Sequence, residues 1–404
     1  MRSRNLSISC VAALRGAFLI LLVAARLAPA AQGEEADARE TPPRQPLVEG
    51  RQVFEAKGCV RCHTIRDGGS IGPDLARSGS WSDVMQFAGS LWNHTPAMAA
   101  KMREQGMEHP TVSPDEMKKL AGYLFAVRFF EEPGNVARGR ELFEQRSCAQ
   151  CHQLGGHGGT VGPRLDELKD SASAAFMAQA LWNHGPEMAA KMAEQKVERP
   201  RLEGNEVADI VAYIRGDAGD GGARELLYAQ AGSPLAGKTI FSAKGCSQCH
   251  AIAGTGGAVG PDLGVQRPRS NVAEMAAALW NHGPPMWAKM KERGLPVPKL
   301  SDAEMADLLA YLYFVQYMGQ AGNATRGGEL LRQKACTECH GVGSRGPKGA
   351  DLAASEALRS PVYWAAAMWN HTADLEQKEH VRARFDDDEM RDVVAFLRSA
   401  GARK

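Results

Sequence analysis

The pentapeptide Cys-X-X-Cys-His occurs four times: Cys59 to His63, Cys148 to His152, Cys246 to His250 and Cys336 to His340. The first cysteines fall at 59, 148, 246 and 336, so the motif returns after 89, 98 and 90 residues and divides the chain into four units. Cysteines at i and i+3 with a histidine at i+4 lie along one face of a short helical turn. A structural zinc site, a reactive dithiol or a disulfide would use the cysteines but leave the adjacent histidine unexplained four times over. The spacing fits covalent haem attachment, in which two thiols form thioethers with the porphyrin edge and the following imidazole coordinates the iron. Cys59, Cys62, Cys148, Cys151, Cys246, Cys249, Cys336 and Cys339 are therefore the candidate attachment points, and His63, His152, His250 and His340 the candidate iron ligands. The ninth cysteine, Cys10, lies near the N-terminus, which leaves no spare thiol for a disulfide.

Arg2 and Arg4 precede an apolar stretch centred on Gly16 to Ala25, and Ala28-Pro29-Ala30 has the small-x-small form of a signal-peptidase site. Residues 1–31 thus read as a cleaved export signal. The apolar run is too short for the ~20 residues that span a bilayer. Residues 32–46, with Pro42, Pro43 and Pro46, read as a flexible tether. Lys plus Arg total 48 against 47 Asp plus Glu, and removing the leader's four arginines leaves 44 against 47. No basic stripe suggests nucleic acid as a partner.

The same landmarks recur in each unit. Nine residues before the first cysteine stands Gly50, Gly139, Gly237 or Gly327, and five before it Phe54, Phe143, Phe241 or Leu331. This reads as a first helix running into the motif. After it come Gly72-Pro73, Gly162-Pro163 and Gly260-Pro261, with a looser Gly346-Pro347 in the fourth unit, which mark a fixed loop. Trp-Asn-His follows at Trp92, Trp182, Trp280 and Trp369. A last helix is predicted by capping boxes at Ser113 to Glu116 and Ser301 to Glu304, by Asp386 to Glu389, and by an apolar stripe through Met117, Leu120, Ala121 and Leu124. It carries Tyr123, Tyr213, Tyr311 or Phe396.

This order of landmarks resembles class I cytochrome c, from about residue 47 to 400. The resemblance implies an all-α chain of four tandem domains, each a small helical fold around one covalently bound haem. The expected bounds are 47–132, 133–218, 235–320 and 321–404, with a linker at 219–234. It also implies that the first and last helices cross closely at the recurring glycine, and that the carbonyl of Pro73, Pro163, Pro261 or Pro347 accepts the N–H of the ligating histidine. Units of this size with only 6% aromatic residues would build thin cores alone, so each haem is expected to supply apolar bulk.

For the opposite face of the iron, three units carry methionine pairs: Met98 and Met102, Met188 and Met192, Met286 and Met290. Met102, Met192 and Met290 are favoured, because Lys-Met followed by glycine and an apolar residue looks like the family's ligand loop; the second unit has Lys196 in place of that glycine. Their upstream partners and His94, His184 and His282 are the alternatives. The repeated Trp-Asn-His otherwise reads as packing beside a haem, and His109 and His157 as surface residues. The fourth unit has Leu375 and Glu379 in place of both methionines. His380 is its favoured ligand, with His371, Met368 or an open iron as alternatives.

The expected function is an exported tetrahaem carrier that passes single electrons between other redox proteins, with no catalytic residues of its own. The alternatives are a haem enzyme or small-ligand binder whose active iron is the fourth haem, and a haem subunit of a membrane-bound respiratory complex. The short connections at 131–137 and 319–325 predict close packing of unit 1 on 2 and of 3 on 4, and the longer 217–235 separates the two pairs.

Overall fold

Every repeat is framed by three helices, and the reason is visible at their ends. The computed structural model describes residues 44–66, 71–77, 81–130, 134–169, 171–216, 232–265, 271–316, 321–376, 383–386 and 388–402. The first repeat holds α1 (Arg44–Ala56), α2 (Val84–Glu104) and α3 (Pro114–Phe129). The second holds α4 (Val136–Gln145), α5 (Ala174–Gln195) and α6 (Glu206–Arg215), and the third α7 (Pro234–Ala243), α8 (Val272–Glu292) and α9 (Asp302–Gln316). The fourth holds α10 (Ala324–Gln333), α11 (Pro361–Glu376) and α12 (Glu389–Gly401). The described strands are two minimal hairpins, Gln153–Leu154 with His157–Gly158 and Ala251–Ile252 with Thr255–Gly256. The architecture is all-α.

Side chains close the helix starts. The Asp83 carboxylate accepts the N–H groups of Met85 and Gln86 at α2, Ser173 that of Phe176 at α5, and Asn271 that of Glu274 at α8. A glutamate in the first turn reaches back to the chain entering each last helix: Ser113 N to Glu116 at 2.9 Å, Glu203 N to Glu206 at 3.0 Å, Ser301 N to Glu304 at 2.9 Å and Asp386 N to Glu389 at 2.9 Å. The second of these was not visible in the sequence, because Glu203 supplies no serine or threonine to complete the box. Two expected boundaries move. Arg44 to Pro46, read as tether, form the first turn of α1, and Ser233 and Pro234, read as linker, are the N-cap and first residue of α7. Proline's fixed φ and missing N–H suit a helix start, so a proline-bearing stretch was misread as unstructured. The signal peptide and the rest of the tether lie outside the described residues.

First and last helices meet backbone to side-chain stem. A Cβ on Gly50 would stand 2.3 Å from the Lys119 carbonyl oxygen, and one on Gly139, Gly237 or Gly327 would stand 1.9 Å from that of Asp209, Asp307 or Asp392. Only glycine admits that approach. In the last three repeats the same aspartates also accept the N–H of the first helix's cap residue, Asn135 at 2.8 Å, Ser233 at 2.6 Å and Asn323 at 2.7 Å.

The repeats do not pair in chain order. α2 packs along α11 and touches α12, while α11 packs on α3; α5 packs along α8 and touches α9, while α8 packs on α6. Repeat 1 is thus joined to repeat 4, and repeat 2 to repeat 3. One apolar core runs through repeats 1 and 4, among Phe54, Trp81, Leu124, Leu331, Trp364 and Leu397. A second runs through repeats 2 and 3, among Phe143, Trp182, Ile210, Phe241, Trp280 and Leu309. Phe129 and Phe130 of repeat 1 join that second core, Phe129 lying 4.8 Å from Tyr313 between ring centres, and the Tyr313 hydroxyl donates to the Phe125 carbonyl at 2.9 Å. Connection length misled the sequence reading because a short linker limits only how far its two ends separate, not which faces the linked units bury.

Trp-Asn-His builds those joints. The indole N–H of Trp182 donates to the Pro298 carbonyl and that of Trp280 to Pro200, each at 2.8 Å; Trp369 reaches Pro110 at 2.7 Å and Trp92 reaches Ala383 at 2.9 Å. The neighbouring asparagine pairs with both polar backbone groups of one residue in the partner repeat. Asn183 takes Leu300 (2.7 and 3.0 Å), Asn281 takes Leu202 (2.7 and 3.1 Å), Asn93 takes Phe385 (2.7 and 2.9 Å) and Asn370 takes Val112 (2.8 and 2.9 Å). Each pair is therefore reciprocal, like a two-fold dimer within one chain. Where α5 crosses α8, Gly185 and Gly283 seat the Trp287 ring, whose carbons a Cβ at either position would meet at 2.3 and 2.5 Å. The matching Thr95 and Thr372 in the other joint are fully buried, and their hydroxyls return to the Leu91 and Met368 carbonyls.

Replacing Asn183 by alanine strands the N–H of buried Leu300, whose carbonyl keeps the Gln179 amide at 3.0 Å, and the expected cost is about 1–3 kcal/mol in denaturant unfolding of the mature protein. A loss near zero would show that the clamp does not hold the joint. Lys196 ends α5 in the left-handed conformation, φ 59°, that Gly106 and Gly294 adopt at the same place. Lys196→Gly should therefore raise stability by about 1 kcal/mol, read as a higher denaturation midpoint.

Candidate functional site

Each Cys-X-X-Cys-His motif is a single tight turn launched by a left-handed residue. Gly58 (φ 75°), Ser147 (φ 62°), Gly245 (φ 80°) and Ala335 (φ 58°) reverse the chain after the first helix, and the cysteines then open a 3-10 turn. In all four, the histidine N–H donates to the carbonyl of the first cysteine at 2.9 Å, which holds i and i+4 on one face. None of the eight motif cysteines is in a disulfide. Burial pushes the thiols of Cys59 and Cys148 up to about 11 and raises those of Cys246 and Cys336 as well, so the first sulfur of each motif faces the apolar interior. Among the described residues no three His, Cys, Asp or Glu side chains converge as a cage for a metal ion, the motifs included.

The histidine ring is fixed from behind. Nδ1 donates to the Pro73 carbonyl at 2.9 Å for His63, to Pro163 at 3.0 Å for His152 and to Pro261 at 3.0 Å for His250. A carbonyl can only accept, so the proton is on Nδ1 and the lone pair of Nε2 is left for coordination. The glycine before each proline closes the pocket: a Cβ on Gly72, Gly162 or Gly260 would stand 2.6, 2.5 or 2.4 Å from the ring's Cε1. The loop is tied down by Gly72 N to Cys62 O at 2.7 Å and Leu75 N to Thr64 O at 2.9 Å, with equivalents in every repeat.

In the fourth repeat the sequence reading picked the wrong loop residues. His340 Nδ1 donates to the Ala350 carbonyl at 3.1 Å, not to Pro347, and it is Gly349 whose Cβ would stand 2.6 Å from the ring. Gly349-Ala350-Asp351-Leu352 therefore corresponds to Gly72-Pro73-Asp74-Leu75, down to Gly349 N on Cys339 O at 2.7 Å and Leu352 N on Gly341 O at 3.0 Å. The acceptor is a backbone carbonyl, which any residue provides, so the proline was a misleading signal.

The methionine candidates lie on helices, not in a loop. Met98 and Met102 are in α2, Met188 and Met192 in α5, Met286 and Met290 in α8, and Met102 is buried. Met102, Met192 and Met290 hold equivalent places at the helix ends, where their carbonyls accept the N–H of Met107 (2.9 Å), Val197 (2.8 Å) and Leu295 (2.9 Å). Lys196 takes up the same ending as the two glycines, so the second repeat keeps the geometry despite its altered sequence. His380 lies outside the described residues. The tryptophans and asparagines of Trp-Asn-His bind the partner repeat, as described above. His109, expected at the surface, is half-buried and stacks on Trp369 of repeat 4 at 4.3 Å between ring centres, because it precedes the Pro110 that this indole binds.

The sequence reading also missed a cation two residues before every first cysteine. Lys57, Arg146, Lys244 and Lys334 pair with the capping glutamates Glu116 (2.9 Å), Glu206 (2.6 Å), Glu304 (2.8 Å) and Glu389 (2.8 Å), which ties the motif turn to the start of the last helix. The constant offset was the available signal. The Lys244 ammonium and the Ser301 N–H hold the Glu304 carboxyl below its ordinary range.

A family model described as Cytochrome c matches the chain four times, at residues 47–127, 136–216, 235–315 and 324–401. No curated protein and no solved structure matches it.

Gly349→Val should push His340 off its carbonyl and lower the covalent haem content from four towards three per chain. Pro347→Ala should leave it at four. Spectrophotometric haem counting against protein mass checks both, and the reverse outcome would restore Pro347 as the structural equivalent of Pro73.

Proposed function

The chain belongs to the cytochrome c family over most of its length, and from this premise we propose that it is an exported tetrahaem carrier passing single electrons between other redox proteins. Membership makes it a haem-binding electron-transfer cytochrome and points to a carrier in preference to an enzyme. The observation that carries the reading is the fourfold identity of the site. In every repeat two cysteines outside any disulfide, one fixed imidazole with Nε2 available, and a glycine-lined loop occur in the same order and with the same bonds.

In this reading Cys59 and Cys62, Cys148 and Cys151, Cys246 and Cys249, and Cys336 and Cys339 hold the four haems, and His63, His152, His250 and His340 ligate them. Bound haem supplies a one-electron iron couple whose potential the axial ligands and burial set. The chain's residues do the positioning. The carbonyls of Pro73, Pro163, Pro261 and Ala350 lock the imidazoles and increase their basicity. Met102, Met192 and Met290 are the proposed sixth ligands in the first three repeats, where a thioether raises the potential relative to a second histidine. Electron donor and acceptor are other redox proteins, with association to a membrane complex as a further setting. No described helix is long and apolar enough to cross a bilayer. Export rests on the leader sequence and on the need of covalent haem attachment for an exported polypeptide.

The test is expression in a host that matures such proteins. Four covalent haems per chain by pyridine haemochrome, uptake of four electrons on reductive titration, and loss of haem from a chain lacking residues 1–31 are expected. Fewer than four haems, or haem attachment without the leader, would overturn the corresponding part of the proposal.

A further inference from the structure

Repeat 4 departs from the others in its long helix. Leu375 stands four residues after the Trp-Asn-His histidine, where the other repeats have Met98, Met188 and Met286. The histidines themselves also differ. His94 and His282 are exposed and turn back on their own helices, Nδ1 donating to the Ser90 carbonyl at 2.8 Å and the Ala278 carbonyl at 2.9 Å. His184 is exposed beside Glu187, 3.8 Å away. His371 is half-buried, and its ring centre lies 5.7 Å from that of His340 with the ring planes at 71°. Among the described residues no such ring contact joins His63 to His94, His152 to His184 or His250 to His282.

Resting on the haem assignment above, the geometry points to His371 as the second axial ligand of the fourth haem, opposite His340. The Nδ1 of His340 is bonded to Ala350, and Gly349 lies against its Cε1, so Nε2 is the atom that coordinates. An imidazole nitrogen sits about 2 Å from a first-row metal ion, so two imidazoles on opposite sides of one ion have ring centres roughly 6 Å apart. The observed spacing matches that requirement. Repeat 4 has neither methionine of the pair, with Leu375 and Glu379 standing in their places, so an imidazole on the same helix supplies the donor instead. Two-histidine ligation lowers the potential relative to histidine–methionine, which makes the fourth haem the last of the four to be reduced.

The test uses the full mature protein. Near-infrared magnetic circular dichroism of the oxidised form distinguishes the two ligand sets, and the expected spectrum contains three histidine–methionine haems and one two-histidine haem. His371→Ala should convert one haem of four to a high-spin form that binds carbon monoxide once per chain after reduction. His371→Met should replace the two-histidine band by a fourth histidine–methionine band and raise one potential. Four equivalent histidine–methionine haems, or an open fourth iron in the unaltered protein, would overturn the proposal. So would retention of the two-histidine band in His371→Ala together with its loss in His380→Ala. A wild-type count below four haems would instead defeat the haem assignment on which the proposal rests.

Discussion

The close crossing of first and last helix at a residue without a side chain is the contact on which each repeat is built. With a Cβ at Gly139 or Gly327 the last helix would have to move away by more than an ångström, since that atom would overlap a carbonyl oxygen at 1.9 Å. The crossing places the end of the first helix over the start of the last. There the cation before the motif meets the capping glutamate, and the cysteine turn begins within two residues of that pair. Three local devices thereby become one frame: a helix cap, an ion pair and a reversed chain carrying two sulfurs and an imidazole.

A frame of this size buries little apolar surface, and the molecule meets that shortage by pairing its repeats. The Trp-Asn clamps merge two small cores into one. The reciprocal pattern joins repeat 1 to 4 and repeat 2 to 3 by the same bonds. Inside each joint the indole N–H and the asparagine amide satisfy backbone groups that would otherwise be buried without partners. The Tyr313 hydroxyl on the Phe125 carbonyl and the Phe129 ring connect the two pairs. Chain order and spatial order are therefore different, and neighbouring cofactors need not belong to consecutive motifs.

The fourth repeat shows how one frame accommodates local change. Its loop reaches His340 through Ala350 instead of a proline, and its Trp-Asn-His histidine turns inward. The clamp is unaffected, because Trp369 and Asn370 still bind Pro110 and Val112. The clamp and the His371 contact with His340 thus reside on successive residues of one motif, and a change in one leaves the other in place.

Much of the site was legible in the sequence because it is set by spacing within a few residues. Cysteines at i and i+3 and a histidine at i+4 share a face of any helical turn, and the repeat number follows from the return of that motif. The all-α class and the close crossing at the glycine nine residues earlier came from the resemblance to class I cytochrome c that the recurring landmarks carry. What the sequence could not reveal was set by atoms brought together from distant parts of the chain. Trp-Asn-His announced that it mattered but not that its indole and amide would find backbone some 80 to 290 residues away. Pro347 looked like the ring's acceptor, yet Ala350 holds that place, because a carbonyl carries no residue identity. Spacing along a helix fixes direction locally, whereas a hydrogen bond between distant segments depends on how whole helices pack, and that was decided only by the tertiary structure.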